Sequence, residues 1–317
     1  MSWRYQIIAV LFFLAILPLK AQQQQKSHTL YPDTARFNNP DVLKLYSRGE
    51  KLTLATCGSC HFGNDGRLSG KRMEDVPKVF GKVYSANITN DKTYGIGNWS
   101  GGELAYFIRT GNKPDGSKAN LGMPRFPNVA DADLEAIIVF LKSDSLAAEA
   151  SQVKAQPSKI KLAGKLATKM VLDDYDYPKN PRQSTDTTFL TGYGDYLVND
   201  VLHCFACHSA NMARIDIKNP TRSKGYLGGG SKLIGMNGEK IISPNITFDE
   251  TTGLGAYSEQ QFFDVMKMGR KSNGEWIKPP MQPYTSLSDN DIRAIYEYLK
   301  IVPVINNKKL LAERTTK

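Results

Sequence analysis

Apolar positions recur along this chain at the spacing of a buried helix face. Leu134, Ile137, Ile138 and Leu141 follow the i, i+3, i+4, i+7 pattern, and Ile292, Ile295, Tyr296 and Leu299 repeat it 158 positions later. Each set predicts a helix closing its half of the chain. Ser288 with Asp291 has the spacing of a capping box for the second helix; Ala130 stands where that serine would be in the first, so Asp131 is expected to cap there. Helical patterns also cover Trp99 to Thr110 and Tyr257 to Met268. Shorter ones, with Leu52 and Leu54 and with Leu197, Val198, Val201 and Leu202, run into two cysteine pairs. Strand alternation is scarce, so the predicted class is all-α.

These helices belong to a repeat. Ser85-Ala-Asn87-Ile88-Thr89-Asn-Asp91 recurs as Ser243-Pro-Asn245-Ile246-Thr247-Phe-Asp249. The same offset of 158 carries Gly95 and Gly97 onto Gly253 and Gly255, Gly111 onto Gly269, and Met123 onto Met281. The cysteine segments match at an offset of 147, so the second copy holds eleven more residues, placed in the Gly-rich stretch Gly225 to Gly238. A chain of 317 residues is about twice an ordinary domain. The expected units are residues 36–145 and 188–304, joined by an irregular linker, residues 146–187, rich in Ala, Lys, Pro and Asp.

With 41% hydrophobic and 23% charged residues, disordered, collagen-like and polytopic membrane chains are excluded. The apolar run Ile7 to Leu19, broken only by Pro18 and preceded by Arg4, is too short to span a bilayer comfortably and fits the core of a secretory signal. Residues 1–21 are therefore expected to be a signal peptide removed after Ala21, with retention as an anchor the lesser alternative because Leu19 is bulky. The mature protein then belongs in the periplasm. Its net charge, +10 for the whole chain, suits an acidic partner or a membrane face, and nucleic acid is not an expected partner.

Cysteine placement changes the picture most. Cys57-Gly-Ser-Cys60-His61 and Cys204-Phe-Ala-Cys207-His208 use all 4 cysteines. Two thiols one helical turn apart can add to neighbouring vinyl groups of a haem while the next imidazole takes an axial position on iron. The pattern predicts two covalently bound haem c groups, one on Cys57 and Cys60 with His61 as iron ligand, the other on Cys204 and Cys207 with His208. A disulfide within either pair would be strained and close almost no loop. A thioredoxin-like pair wants a βαβ setting, and a zinc site would need ligands from both repeats.

His28 and His203 are the remaining imidazoles, and His203 adjoins Cys204, from where the far face of the same ring is hard to reach. Met123 and Met281, equivalent in the repeat and set in proline-containing loops, are the expected opposite ligands, with Met73 and Met236 as fallbacks. Histidine and methionine together leave no vacant position on iron and favour its ferrous form, which suits passing single electrons. No catalytic residue is assigned.

Asn-Ile-Thr-x-Asp followed by Gly-x-Gly-x-Trp/Tyr-Ser (Asn87 to Ser100, Asn245 to Ser258), then methionine, Asp-x-Asp and a closing helix, resembles the multihaem cytochrome c subunits of membrane-associated alcohol, aldehyde and gluconate dehydrogenases. The resemblance covers most of residues 40–145 and 190–303. It implies two tandem cytochrome c-like domains with His61, Met123, His208 and Met281 as axial ligands. It further implies a carrier that accepts electrons from a dehydrogenase subunit and forwards them to an oxidase or another cytochrome, with peripheral membrane association as an option. The chain departs from the commonest pattern in carrying two haem motifs rather than three. The enzymatic alternative is a dihaem peroxidase with a displaceable ligand, against which the shortage of histidines counts. Asn87 and Asn245 lie in N-x-T sequons, and their recurrence points to local hydrogen bonding rather than glycan attachment. Trp99 and Tyr257 are expected to pack a haem pocket.

Overall fold

The computed structural model describes residues 42–120, 122–171, 175–183 and 185–310. The expected signal peptide, residues 1–21, and His28 lie outside them. The first half comprises α1 (Val42–Thr56), the single turn α2 (Gly58–His61), β1 (Gly81–Lys82), α3 (Gly101–Thr110) and α4 (Asp131–Leu141). A connecting segment holds β2 (Lys159–Ile160) and α5 (Leu162–Val171). The second half repeats the order: α6 (Leu190–Tyr196) continued by a π-helical turn (Leu197–Val201), α7 (Cys204–His208), β3 (Lys232–Ile234), β4 (Lys240–Ile242), α8 (Glu259–Met268) and α9 (Asp289–Ile301). Helix dominates, as the periodicity predicts. The antiparallel pair β3 and β4 occupies the insertion expected near the Gly-rich stretch.

Local sequence sets the helix ends. Both α3 and α8 begin after a serine, Ser100 and Ser258, in a complete capping box with Glu103 and Gln261. They start two residues later than the apolar pattern suggests, because capping and not hydrophobicity decides the first turn. The Ser288–Asp291 box forms at α9 as expected. In α4 the expected cap does not form: Ala130 is the N-cap with no side-chain bond, and Asp131 accepts instead from Arg109 at 2.6 Å.

In each half the leading helix crosses the closing helix, α1 on α4 and α6 on α9. Both crossings demand glycine. A Cβ on Gly49 would lie 1.9 Å from the carbonyl oxygen of Ala136, and one on Gly194 would lie 1.9 Å from that of Ala294. Gly49 and Gly194 are 145 residues apart whereas the cysteines are 147 apart, so the second half must absorb two extra residues between crossing and motif. It does so with the π-helical turn and with His203 in the left-handed region at φ 51°. Leu52, Leu134, Ile138 and Phe140 in the first half, and Leu197, Val198, Ile292 and Leu299 in the second, join one continuous apolar core.

The halves meet about an approximate two-fold relation. Arg48 on α1 and Tyr193 on α6 bond each other at 2.6 Å, and each also holds its own closing helix, Arg48 through Asp133 and Tyr193 through Asp291. Crosswise, Lys51 reaches Asp291 at 2.9 Å and Tyr196 reaches Asp133 at 2.8 Å. Asp133 and Asp291 are equivalent in the repeat, so one pair of carboxylates organises both sides. The described residues of the segment 146–187, expected to be irregular, pack against the first half and also reach the second, where Arg182 lies over the Tyr196 ring at 4.9 Å and Lys218 over the Tyr175 ring at 5.1 Å. β2 pairs with β1, Tyr177 stacks on Tyr106, and the amides of Asp131 and Ala132 donate to the carbonyls of Arg182 and Gln183.

Candidate haem-attachment sites

The amide of His61 donates to the carbonyl of Cys57 at 2.9 Å, which places Cys57, Cys60 and His61 on one turn of helix. Cys204, Cys207 and His208 share α7 in the same way. None of the four thiols is in a disulfide. Burial pushes the Cys57 and Cys207 thiols up to about 11 and the Cys204 thiol up to about 12, and raises that of Cys60 as well. A redox-active dithiol needs a lowered value, so these environments favour neutral thiols against an apolar surface. The Asp75 carboxylate adds a smaller upward push at both Cys60 and Cys207, so the second thiols of the two motifs share one charged neighbour across the halves.

Both axial candidates are oriented by a backbone carbonyl. The Nδ1 of His61 lies 2.8 Å from the carbonyl oxygen of Ala86, and that of His208 lies 3.0 Å from that of Pro244. A carbonyl only accepts, so Nδ1 carries the proton and Nε2 keeps its lone pair for a metal. Burial lowers both imidazole pKa values, which favours the neutral, ligating form.

The residue after each of these carbonyls is the asparagine of the repeated Asn-Ile-Thr. Oδ1 of Asn87 accepts from the amide and hydroxyl of Thr89 at 2.9 and 2.6 Å, while Nδ2 donates to the carbonyls of Ser151 and Val153. Asn245 binds Thr247 identically, and its Nδ2 donates to the carbonyl of Ile305 and to Thr252. At 3% and 2% exposure these side chains leave no room for a glycan, and the expected hydrogen-bonding role is what they perform. Asn98, which with Trp99 and Ser100 forms an N-x-S sequon, is exposed.

Met123 and Met281 are half-buried and pack against the core. Their loops are tied down by two cations that the sequence reading missed. Arg109, fully buried at the end of α3, donates to the carbonyls of Pro127 and Val129 at 2.8 and 2.9 Å. Lys267, 158 residues later on α8, donates to the carbonyls of Thr285 and Leu287. A basic residue at the same offset as the other repeated positions was the available signal. Arg125 additionally donates to the carbonyl of Met123 itself at 2.5 Å. Met236, a fallback ligand, is 52% exposed. His203 is half-buried between the halves, its ring stacked on Phe126 at 4.8 Å and edge-on to Phe205. Trp99 packs edge-on against Phe107 at 5.4 Å.

Among the described residues no group of three or more His, Cys, Asp or Glu side chains is placed to hold a metal ion. What each half offers instead is an imidazole whose Nδ1 is engaged by a carbonyl, leaving Nε2 as the candidate donor, two thiols on the same helical turn and a core-packed thioether in the following loop. That donor set fits a covalently attached haem. Residues 46–145 match the family whose model is described as Cytochrome c. The first half of the chain thus carries a cytochrome c-like domain. Over most of its length the chain is similar to cytochrome c subunits of dehydrogenases. It is 29% identical over 291 residues to the fructose dehydrogenase cytochrome subunit of Gluconobacter japonicus, covering 86% of this chain and 54% of that protein. It is 27% identical over 308 residues to the cytochrome c subunit of the quinone alcohol dehydrogenase of Gluconacetobacter polyoxogenes, covering 90% and 62%. A diheme cytochrome c-type protein of Cereibacter sphaeroides is 29% identical over 278 residues, covering 82% of this chain and 86% of that one. The chain thus spans roughly half to two thirds of the length of the first two. No described helix is long and apolar enough to cross a membrane.

Proposed function

We propose that this cytochrome is a dihaem electron-transfer subunit, built as two tandem cytochrome c-like domains, that accepts single electrons from a periplasmic or membrane-associated dehydrogenase and forwards them to an oxidase or another cytochrome. The observation that carries the proposal is the duplicated site: two Cys-x-x-Cys-His turns, each with its imidazole held at Nδ1 by the carbonyl that precedes an Asn-Ile-Thr segment. A bound haem supplies a one-electron couple. The chain's own residues do the rest. Cys57 and Cys60, or Cys204 and Cys207, would hold the ring covalently; His61 and His208 would present Nε2, and Met123 and Met281 a thioether from loops clamped by Arg109 and Lys267. Were the imidazole and the thioether of each half both to bind iron, neither haem would keep a position for a substrate, which favours carriage over catalysis. The similarity to dehydrogenase subunits supports a dehydrogenase as donor.

Material matured in a host competent for covalent haem attachment is expected to give two haems per chain by pyridine haemochrome titration, both low-spin. One haem, or none, overturns the reading. Met281→Ala and Met123→Ala should each turn one haem high-spin and able to bind carbon monoxide. An unchanged spectrum would assign the sixth ligand elsewhere.

A further inference from the structure

In both halves the segment that follows the closing helix returns to the Asn-Ile-Thr turn and is clasped by it. In the first half the strap is Ser151 to Val153: Asn87 donates to the carbonyls of both, and the Ser151 amide donates to the Thr89 hydroxyl at 3.1 Å. In the second half it is Ile305 to Asn307. Asn245 donates to the carbonyl of Ile305 at 2.6 Å, the amide of Ile305 donates to the Thr247 hydroxyl at 3.0 Å, and the amide of Asn307 donates to Thr252. The two straps share neither sequence nor destination, since one continues into the connecting segment and the other lies near the end of the described chain. The clasp is nevertheless the same. Thr89 and Thr247 are both 0% exposed, so neither hydroxyl has water as an alternative partner.

We infer that Asn87 with Thr89, and Asn245 with Thr247, are positioning residues for the axial imidazoles: by gripping the strap they fix the carbonyl of Ala86 or Pro244, and through it the orientation and donor strength of His61 or His208. The peptide carbonyl one bond before each asparagine is the acceptor for Nδ1. A firm hydrogen bond there makes the imidazole a stronger donor to iron and favours the ferric form; a loosened one favours the ferrous form. Each half has its own strap, so each iron is tuned separately. This rests on the haem-ligand reading above.

The test uses the full-length holoprotein, with the midpoint of each haem from spectroelectrochemical titration and its ferric EPR signature. Asn245→Asp keeps the acceptor for Thr247 and removes the donor to Ile305; Thr247→Val removes the hydroxyl and Thr247→Ser restores it. Asn245→Asp and Thr247→Val should raise the midpoint of one haem, increasing its ferrous-to-ferric ratio at the former midpoint several-fold, and change its EPR g values. The other haem stays as it was, and Thr247→Ser stays near the unmodified protein. Asn87→Asp should move only the haem that Asn245→Asp leaves alone. Lowered thermal stability with both midpoints and both EPR signals unchanged would show a purely structural clasp and overturn the inference, as would movement of both haems together. If Asn245→Asp does not mature, the Thr247 pair decides alone. Failure of the underlying reading is distinguishable, because the unmodified protein would then lack two low-spin haems.

Discussion

In the second half a single buried carboxyl, Asp200, couples stability to pH. It sits in the π-helical turn at 7% exposure, and burial pushes its pKa up to about 6, only partly offset by Asn128 and by Arg182 at 3.6 Å. The folded state therefore binds this proton more tightly than the unfolded chain does. Stability linked to Asp200 is full at acidic pH, falls as pH rises from about 4 through about 6, and stays lower above. Asp200→Asn should raise the melting temperature at pH 8, relieving up to ~3 kcal/mol, and lose the advantage at pH 4. Calorimetric melting at the two pH values checks it; equal effects at both would mean that Asp200 does not titrate between them. The clamp on the methionine loop makes a second residue-scale prediction. Arg109→Ala leaves the carbonyls of Pro127 and Val129 without that donor and buries Asp131 without its cation, at a cost of ~3 kcal/mol in denaturant titration. Arg109→Lys should recover part of it, because Lys267 does the equivalent work in the other half.

At the scale of elements, the two helix crossings set where the motifs sit. Gly49→Ala and Gly194→Ala would each drive a methyl group into a carbonyl on the facing helix. The leading helix must then lift off, and the loss should reach at least ~1–3 kcal/mol in chemical denaturation despite the better helix propensity of alanine. A neutral or stabilising outcome would show that the crossing tolerates separation. The glycines were present in the sequence, yet nothing local distinguishes them from glycines in turns. The capping box at Ser288 was read from the sequence, whereas those at Ser100 and Ser258 were missed although Ser-x-x-Glu and Ser-x-x-Gln have the same spacing. Asp131 was misread for a different reason. Its side chain is claimed by Arg109, 22 residues earlier, and a buried guanidinium outcompetes a local amide.

For the whole molecule, the polar cluster around Arg48 decides whether the halves behave as one body. Arg48 joins Asp133, Tyr193 and Asp291, and its side chain is 21% exposed. Arg48→Met would leave two mostly buried carboxylates short of a partner, a loss of about 3 kcal/mol at the lower end for such pairs because water reaches the guanidinium. Scanning calorimetry should then show one cooperative transition broadening or splitting in two as the halves uncouple. A single unshifted transition would mean that the shared apolar core alone binds them.

Periodicity and the two Cys-x-x-Cys-His turns act over a few residues, and a repeat offset is read along the chain without any contact in space, so the chain alone indicated helices, a repeated pattern and the candidate attachment residues. The repeated Asn-Ile-Thr was visible too, though not what it grips. Tertiary packing decided that Ala86 and Pro244 hold the imidazoles, that different straps close the same clasp, and that Lys51 pairs with Asp291 and His203 with Phe126. Those partners lie 25 to 240 positions apart, and a single sequence contains no term linking them. Which donor meets which acceptor depends on how closely helices approach, and that distance is set here by glycines and by a two-residue excess taken up in a π-helical turn.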